Sequence, residues 1–252
     1  MEIITSRKNA YIGHVRRLSA DADYRREKGE YLCDGMKTLR EALAYGAELS
    51  SVMWKDMPQK LDGLCCAAQY AVPAELFDFA SSMKNSPGPL FTVRIPKEGC
   101  SEPPRNAIVL ENVQDPGNVG TVIRSANAFG IGAVILTGAC ADLYNPKTIR
   151  ATMGAIFRQR VIELDIACIP ELLKKSGLRL YGAALSDSAA DIRTVQLANA
   201  AVAIGSEGRG LSRELLEMCD GEVIIPMKPD SESLNAGVAA AVAMWEMARD
   251  NI

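Results

Sequence analysis

The second half of the chain alternates short, almost unbroken apolar runs with stretches of helical periodicity. The runs fall at 107–110, 133–136, 178–181, 201–204 and 223–225. Strands that are apolar throughout, rather than at every second position, are buried on both faces. A mostly parallel sheet flanked by helices provides that environment. The helix after the first run puts Val119, Val122, Ile123, Ala126 and Phe129 on one side, with Asn118 as its predicted N-cap. Gly120, Arg124 and Asn127 fall on the opposite side. In the last helix Leu234, Val238, Val242 and Trp245 form a stripe expected to pack into the core.

The first hundred residues mix both patterns on a shorter scale. Met36, Leu39 and Leu43 predict a helix over 35–46 that Gly46 ends, residues 51–54 a strand, and 73–80 a helix with Pro73 in its first turn. Three prolines and a glycine between 94 and 106 interrupt every periodicity. The expected organisation is a smaller N-terminal α/β domain over 1–95, a linker over 96–106 and an α/β domain over 107–252.

With 252 residues and 48% hydrophobic content, two modest domains are affordable in core. No apolar run approaches about 18 residues and no basic, apolar leader opens the chain. The expectation is a cytoplasmic protein without membrane association. Seven cysteines, none in a C-x-x-C arrangement, and the single histidine His14 suit buried, reduced thiols and no metal site. The chemistry must then proceed without a histidine base.

The formal charge of −3 argues against a uniformly basic nucleic-acid binder. Its distribution changes the picture. Residues 7–28 carry Arg7, Lys8, Arg16, Arg17, Arg25, Arg26 and Lys28 against Asp21, Asp23 and Glu27. That run either contacts phosphates or forms a solvated helical face. A second basic stretch, 145–160, holds Lys147, Arg150, Arg158 and Arg160 with no acid, and the same two readings apply.

Three blocks carry candidate chemistry. Asn118-Val-Gly-Thr-Val-Ile-Arg124 follows the first strand, at the strand end where α/β proteins bind ligands. Arg150-Ala-Thr-Met-Gly-Ala155 is the second. In the third, strand 201–204 opens into Gly205-Ser-Glu-Gly-Arg-Gly-Leu211, with Ser212 capping the next helix and Ser233-Leu-Asn235 further on. Glycines at this density free backbone amides and carbonyls to wrap a small ligand. The spacing is not G-x-G-x-x-G, and no phosphate-cradling glycine turn follows the first strand, which disfavours a nucleotide-dependent oxidoreductase.

The three blocks, with Ile225-Pro-Met227, resemble in order and spacing the motifs of the SpoU (TrmH-type) branch of the SPOUT methyltransferases, over about residues 107–250. Tyr31-Leu-Cys-Asp-Gly35 and the helix ending Tyr45-Gly-Ala-Glu48 are similar to that family's ribosomal-protein-like RNA-binding domain. The resemblance implies methyl transfer from S-adenosylmethionine to a ribose 2′-hydroxyl of rRNA or tRNA, a trefoil knot in the C-terminal domain, and a homodimer. By motif position it implies cofactor contacts at Gly205, Ile225 and Leu234. It places the catalytic group on Asn118, Arg124, Glu207, Ser233 and Asn235, while the two basic stretches supply Arg7, Lys8, Arg16, Arg17, Lys147, Arg150 and Arg158 as candidates for RNA contact. The family proposal of Arg124 as general base conflicts with a guanidinium that stays protonated; holding the ribose and stabilising its alkoxide suits it better. Relatives with a serine two residues after the asparagine differ from this chain, which has Gly237. The alternative, a non-catalytic RNA-binding protein on the same fold, would be expected to have lost Arg124 or the glycine loop; both are present.

Overall fold

Two sheets form, and the hydrophobic pattern explains why they differ. The computed structural model describes residues 1–64, 67–83, 85–96, 102–228 and 233–249. In chain order the first part runs β1 (Glu2–Ile3), α1 (Ala10–Ala20), α2 (Ala22–Lys28), β2 (Glu30–Asp34), α3 (Met36–Ala44), β3 (Leu49–Lys55), β4 (Ala68–Val72), α4 (Ala74–Ala80) and β5 (Leu90–Arg94). The second runs β6 (Ala107–Glu111), α5 (Pro116–Ala128), β7 (Ala133–Thr137), α6 (Pro146–Thr152), β8 (Val161–Glu163), α7 (Ile169–Ser176), β9 (Arg179–Ala183), β10 (Ala190–Asp191), β11 (Ala200–Ile204), α8 (Arg213–Glu217), β12 (Gly221–Ile224) and α9 (Ala236–Ala248).

The chain divides into two compact units, Met1–Gly99 with Asp142–Phe157, and Cys100–Ala141 with Arg158–Ile252. The stretch expected to be one continuous domain over 107–252 is thus interrupted. The reason lies in what 142–157 packs against. Ile149 of α6 joins the cluster of Leu39, Val52, Trp54 and Phe91, and Asp142 pairs with the buried guanidinium of Arg25. Within the stretch expected as a linker, residues 97–101 lie outside the described residues. Its end is pinned to the second unit: Gly132 donates to Asn106 Oδ1 at 2.7 Å, and Arg160 donates to the Glu102 carbonyl at 2.6 Å.

The first unit holds a mixed sheet in the order β1-β4-β3-β5-β2, in which β5 runs antiparallel to β3 and β2. Alternation along β3 sends Met53 toward Val15 and Phe77 of α1 and α4, and Val52 and Trp54 toward Leu39 and Ile149 of α3 and α6.

The second unit's sheet, β10-β12-β9-β11-β6-β7-β8, is parallel throughout. β6, β7 and β11 are buried at every position, as uninterrupted apolar runs require. Ala107, Val109 and Ile135 pack with Ile169, Leu173 and Leu215 of α7 and α8. The helices α5 and α9 pack against each other and against β7 and β11 respectively. β6 pairs with β7 on one side and with β11 on the other, so the chain order reverses there. Ligands of open α/β sheets bind beyond the carboxyl ends of strands at such a reversal.

Candidate functional site

Asn118 does not cap α5. Asp115 does: its Oδ1 accepts the Asn118 backbone N–H at 2.8 Å, and Pro116 starts the helix with the fixed φ that a first turn favours. Asn118 therefore sits inside the first turn with its side chain free for other partners. Gly120 is buried while Arg124 is exposed, so the two do not share a solvent face; α5 is covered by α9 as well as by the sheet.

The pairing of β6 with β11, which sets Leu110 beside Ile204, brings the first and third blocks together. Their connections leave the sheet at the same end. The Asn118 amide nitrogen donates to Glu207 Oε1, and Asn118 Oδ1 accepts from Asn235 Nδ2 at 3.0 Å. Asn235 in turn caps α9, its Oδ1 accepting from the backbone N–H of Gly237 at 3.0 Å and of Val238 at 3.3 Å. Three side chains separated by up to 117 positions thus form one chain of hydrogen bonds.

Beside that chain lies a cavity of about 520 Å³, lined by Gly205, Glu207, Arg209, Ile225, Ser233 and Leu234 among others. The volume falls within the range of small-molecule sites. Gly205 is held to glycine by crowding: a Cβ there would collide with the Gly210 backbone. That approach closes the loop, and Gly210 N–H donates to the Ser206 carbonyl at 2.9 Å. Loop closure leaves Ser206, Glu207, Gly208 and Arg209 to wall the cavity.

Two functional residues escaped sequence reading. Glu111, at the end of β6, is 3% exposed, and its Oε2 accepts the Ser212 backbone N–H at 2.7 Å. It ties the first block's strand to the cap of α8 and so fixes where the glycine loop ends. Asp115 holds Asn118. The signal available for both was an acid placed directly between an apolar run and a helix start.

The remaining expected residues are distributed more widely. Arg124 is exposed and makes no hydrogen bond or ion pair among the described residues. The second block is built largely for packing within the first unit. Thr152 donates to the Ile149 carbonyl at 2.7 Å, and at Gly154, with φ 89°, an added Cβ would stand 2.9 Å from Glu41 Cγ. Lys147 is exposed on α6, while Arg150 lies close enough to Asp34 to act on its charge; burial still pushes that carboxyl above its usual range. Arg158 belongs to the second unit. In the basic run, Arg25 is committed to the interior, bonding Asp142 and the Leu18 carbonyl. Arg17 lies over the Tyr24 ring and pairs with Asp21 at 3.6 Å. Arg7 and Arg16 are exposed and flank the Phe79 ring at 4.8 and 4.2 Å from its centroid, with Lys8 exposed alongside in sequence.

The expected core stripe of α9 is a correction. Val238 and Trp245 are 49% and 50% exposed, while Ala236, Gly237, Ala240, Ala243, Met244 and Met247 are buried. A helix apolar on nearly all sides does not announce which face goes inward. Here small residues win, because they let α9 lie close to α5. Val238, Val242 and Trp245 line a shallow apolar depression with Thr121 and Phe129. Among the described residues no group of three His, Cys, Asp or Glu side chains is placed to hold a metal ion. Burial pushes the Cys219 thiol up to about 11 and that of Cys140 upward as well, so neither is poised as a nucleophile. No helix among the described residues is long and apolar enough to cross a membrane.

Residues 105–245 match the model of the SpoU rRNA Methylase family. Over 251 residues, 98% of this chain and 99% of the relative, the sequence is 30% identical to RlmP of Bacillus subtilis, a 23S rRNA (guanosine(2553)-2′-O)-methyltransferase. The AdoMet-bound crystal structure of an rRNA methyltransferase from Sinorhizobium meliloti superposes with a TM-score of 0.90 at 23% identity, covering 99% of this chain and 98% of that one. That likeness concerns the fold. The SpoU methyltransferase AviRb of Streptomyces viridochromogenes, in complex with AdoMet, gives a TM-score of 0.84 at 25% identity over 96% of this chain and 98% of its own.

Proposed function

The chain belongs to the SpoU rRNA methylase family, and from that premise we propose that it transfers the methyl group of S-adenosylmethionine to a ribose 2′-hydroxyl of ribosomal RNA. The observation that carries this reading is the Glu207–Asn118–Asn235 chain standing beside the glycine-loop cavity. The cavity fits the cofactor chemically: Ile225, Met227 and Leu234 offer an apolar wall, and the Gly205–Leu211 loop offers backbone donors and acceptors.

When bound, S-adenosylmethionine supplies a methyl group already activated on a sulfonium, so an in-line displacement requires alignment more than acid–base power. Held between the Gly205–Leu211 loop and the wall of Ile225, Met227 and Leu234, it would supply that methyl group to a 2′-oxygen whose proton passes to solvent. The protein's work is orientation. Asn118 is locked by three partners, so its polar group is preorganised rather than rearranged during the reaction. Ser233, exposed at the cavity rim, holds the ribose edge, and Arg124 stabilises the developing alkoxide. The first unit selects the RNA, an assignment supported by the exposed Arg7, Lys8 and Arg16.

A homodimer and a trefoil knot belong to the same reading. The dimer is supported by the exposed apolar face of α9, which a second copy would cover around Val238 and Trp245. The knot is supported by membership of the SpoU family alone. The setting that goes with this reading is the cytoplasm. Calorimetric titration tests the cofactor assignment: S-adenosylmethionine binds at one site per chain, whereas NAD does not. Binding of NAD alone would overturn it.

A further inference from the structure

Among the described residues two charged side chains line the glycine-loop cavity, Glu207 and Arg209, both from the loop itself. Glu207 is already engaged, its Oε1 accepting from the Asn118 amide. Arg209 is not: it is exposed and forms no hydrogen bond or ion pair among the described residues. It stands between Gly208 and Gly210 in a loop whose backbone closes on itself. There the Gly210 N–H donates to the Ser206 carbonyl at 2.9 Å, with Gly210 at φ 65°. Closure fixes the base of the Arg209 side chain at the cavity wall, so less freedom is lost when its head finds a partner. The rest of the wall is apolar, as at Leu185, Ile225, Met227 and Leu234, or offers backbone groups and hydroxyls. A cation with no carboxylate paired to it, on the wall of such a cavity, is complementary to an anion carried by the ligand.

S-adenosylmethionine carries a zwitterionic amino acid at one end and adenine at the other. A guanidinium presents five N–H donors in a planar fork that fits a carboxylate bidentately. We propose that Arg209 binds the carboxylate of the cofactor's methionine end and so sets which way round the cofactor lies in the cavity. The apolar wall of Ile225, Met227 and Leu234 is then left to the adenine. The proposal rests on the cofactor reading and deepens it: the site takes adenosyl amino acids in preference to adenosyl thioethers that lack the amino acid. An RNA phosphate is the other anion within reach of an exposed arginine, and the test separates the two.

The test is calorimetric titration of the full chain with two probes: S-adenosylhomocysteine, which keeps the amino acid, and 5′-methylthioadenosine, which lacks it. The natural chain should bind the first about tenfold more tightly, the gain from one charge-assisted hydrogen-bonded pair at a partly open site. Arg209→Ala should weaken S-adenosylhomocysteine about tenfold and leave 5′-methylthioadenosine within about twofold, because removing the arginine and removing the amino acid delete the same contact. Arg209→Lys should recover part of the loss, since an ammonium keeps the charge but not the fork. Unchanged affinity for 5′-methylthioadenosine also reports that the variant's cavity is intact. If Arg209→Ala folds poorly, Arg209→Gln serves the same comparison. Equal weakening of both probes, or of neither, overturns the proposal. So does a variant that loses affinity for an rRNA transcript alone. Failure of the natural chain to bind either S-adenosylmethionine or S-adenosylhomocysteine would instead contradict the cofactor reading itself, and the proposal with it.

Discussion

Asn118 is the residue on which the proposed site turns, because its side-chain amide joins two partners while its backbone is held by a third. Its backbone is held by Asp115, its nitrogen by Glu207 and its oxygen by Asn235. Asn118→Ala should lower single-turnover methyl transfer by about 10²-fold, the usual effect of losing one preorganised polar group. Asn118→Asp should do no better, since it replaces a donor to Glu207 with a second carboxylate. A rate within threefold of normal for either variant would show that the hydrogen-bond chain is incidental. Gly237 matters at the same scale. A Cβ there would stand 3.2 Å from Asn235 Oδ1 and 3.4 Å from Asn118 Oδ1, tight but not impossible. The glycine therefore leaves the Asn118–Asn235 bond undisturbed, and Gly237→Ser places a hydroxyl beside it. We expect that variant to fold and bind cofactor, with a changed rate read in the same assay.

At the scale of elements, sequence and structure agree on the strands of the second unit and disagree on helix faces. Unbroken apolar runs such as 107–110 and 201–204 have one stable solution, a strand covered on both sides, and each lies in the observed strand. Helices carry less information when most of their surface is buried. The start of α5 was misplaced because Asn118 and Asp115 are both good caps, and only Pro116 at the first position decides between them. The inward face of α9 was misread because the larger side chains were assumed to be core. Asp115→Ala should cost about 1 kcal/mol of stability as a lost cap and should also slow methyl transfer by loosening Asn118. Urea unfolding with parallel rate measurements checks both, and stability loss without any rate loss would separate the cap from the site. For α9, Val238→Asp puts like charges across a two-fold contact, so sedimentation should find a dimer for the natural chain and a monomer for the variant. A monomeric natural chain would refute the assignment of that face.

For the whole molecule, the sequence suggests a boundary near 94–106 and gives no sign of the change of unit at 142–157. The prolines of 94–106 mark the boundary, but nothing in the sequence of 142–157 says that α6 covers the first unit's sheet. That information lies in the partner of Arg25, a buried charge whose carboxylate comes 117 residues later. One consequence is practical: removing residues 1–99 would strip the packing partners of 142–157, so the roles of the units are better separated in the full chain. Arg7→Ala with Arg16→Ala should weaken binding of an rRNA transcript and lower its salt dependence by about two phosphate contacts, with cofactor affinity unchanged. Equal RNA affinity would remove the first unit's proposed role.

Arg124 tests the central claim most directly, because the proposed stabilisation of the developing alkoxide is assigned to its guanidinium. It should be measured in single-turnover methylation of an rRNA transcript, at saturating cofactor and RNA, with the modified nucleoside identified by mass spectrometry. The natural chain should yield a 2′-O-methylated nucleoside. Arg124→Ala should slow its appearance by about 10²–10³-fold with cofactor affinity intact, and Arg124→Lys should recover little, since an ammonium lacks the planar fork. A base-methylated product, or an Arg124→Ala rate near normal, would contradict the account.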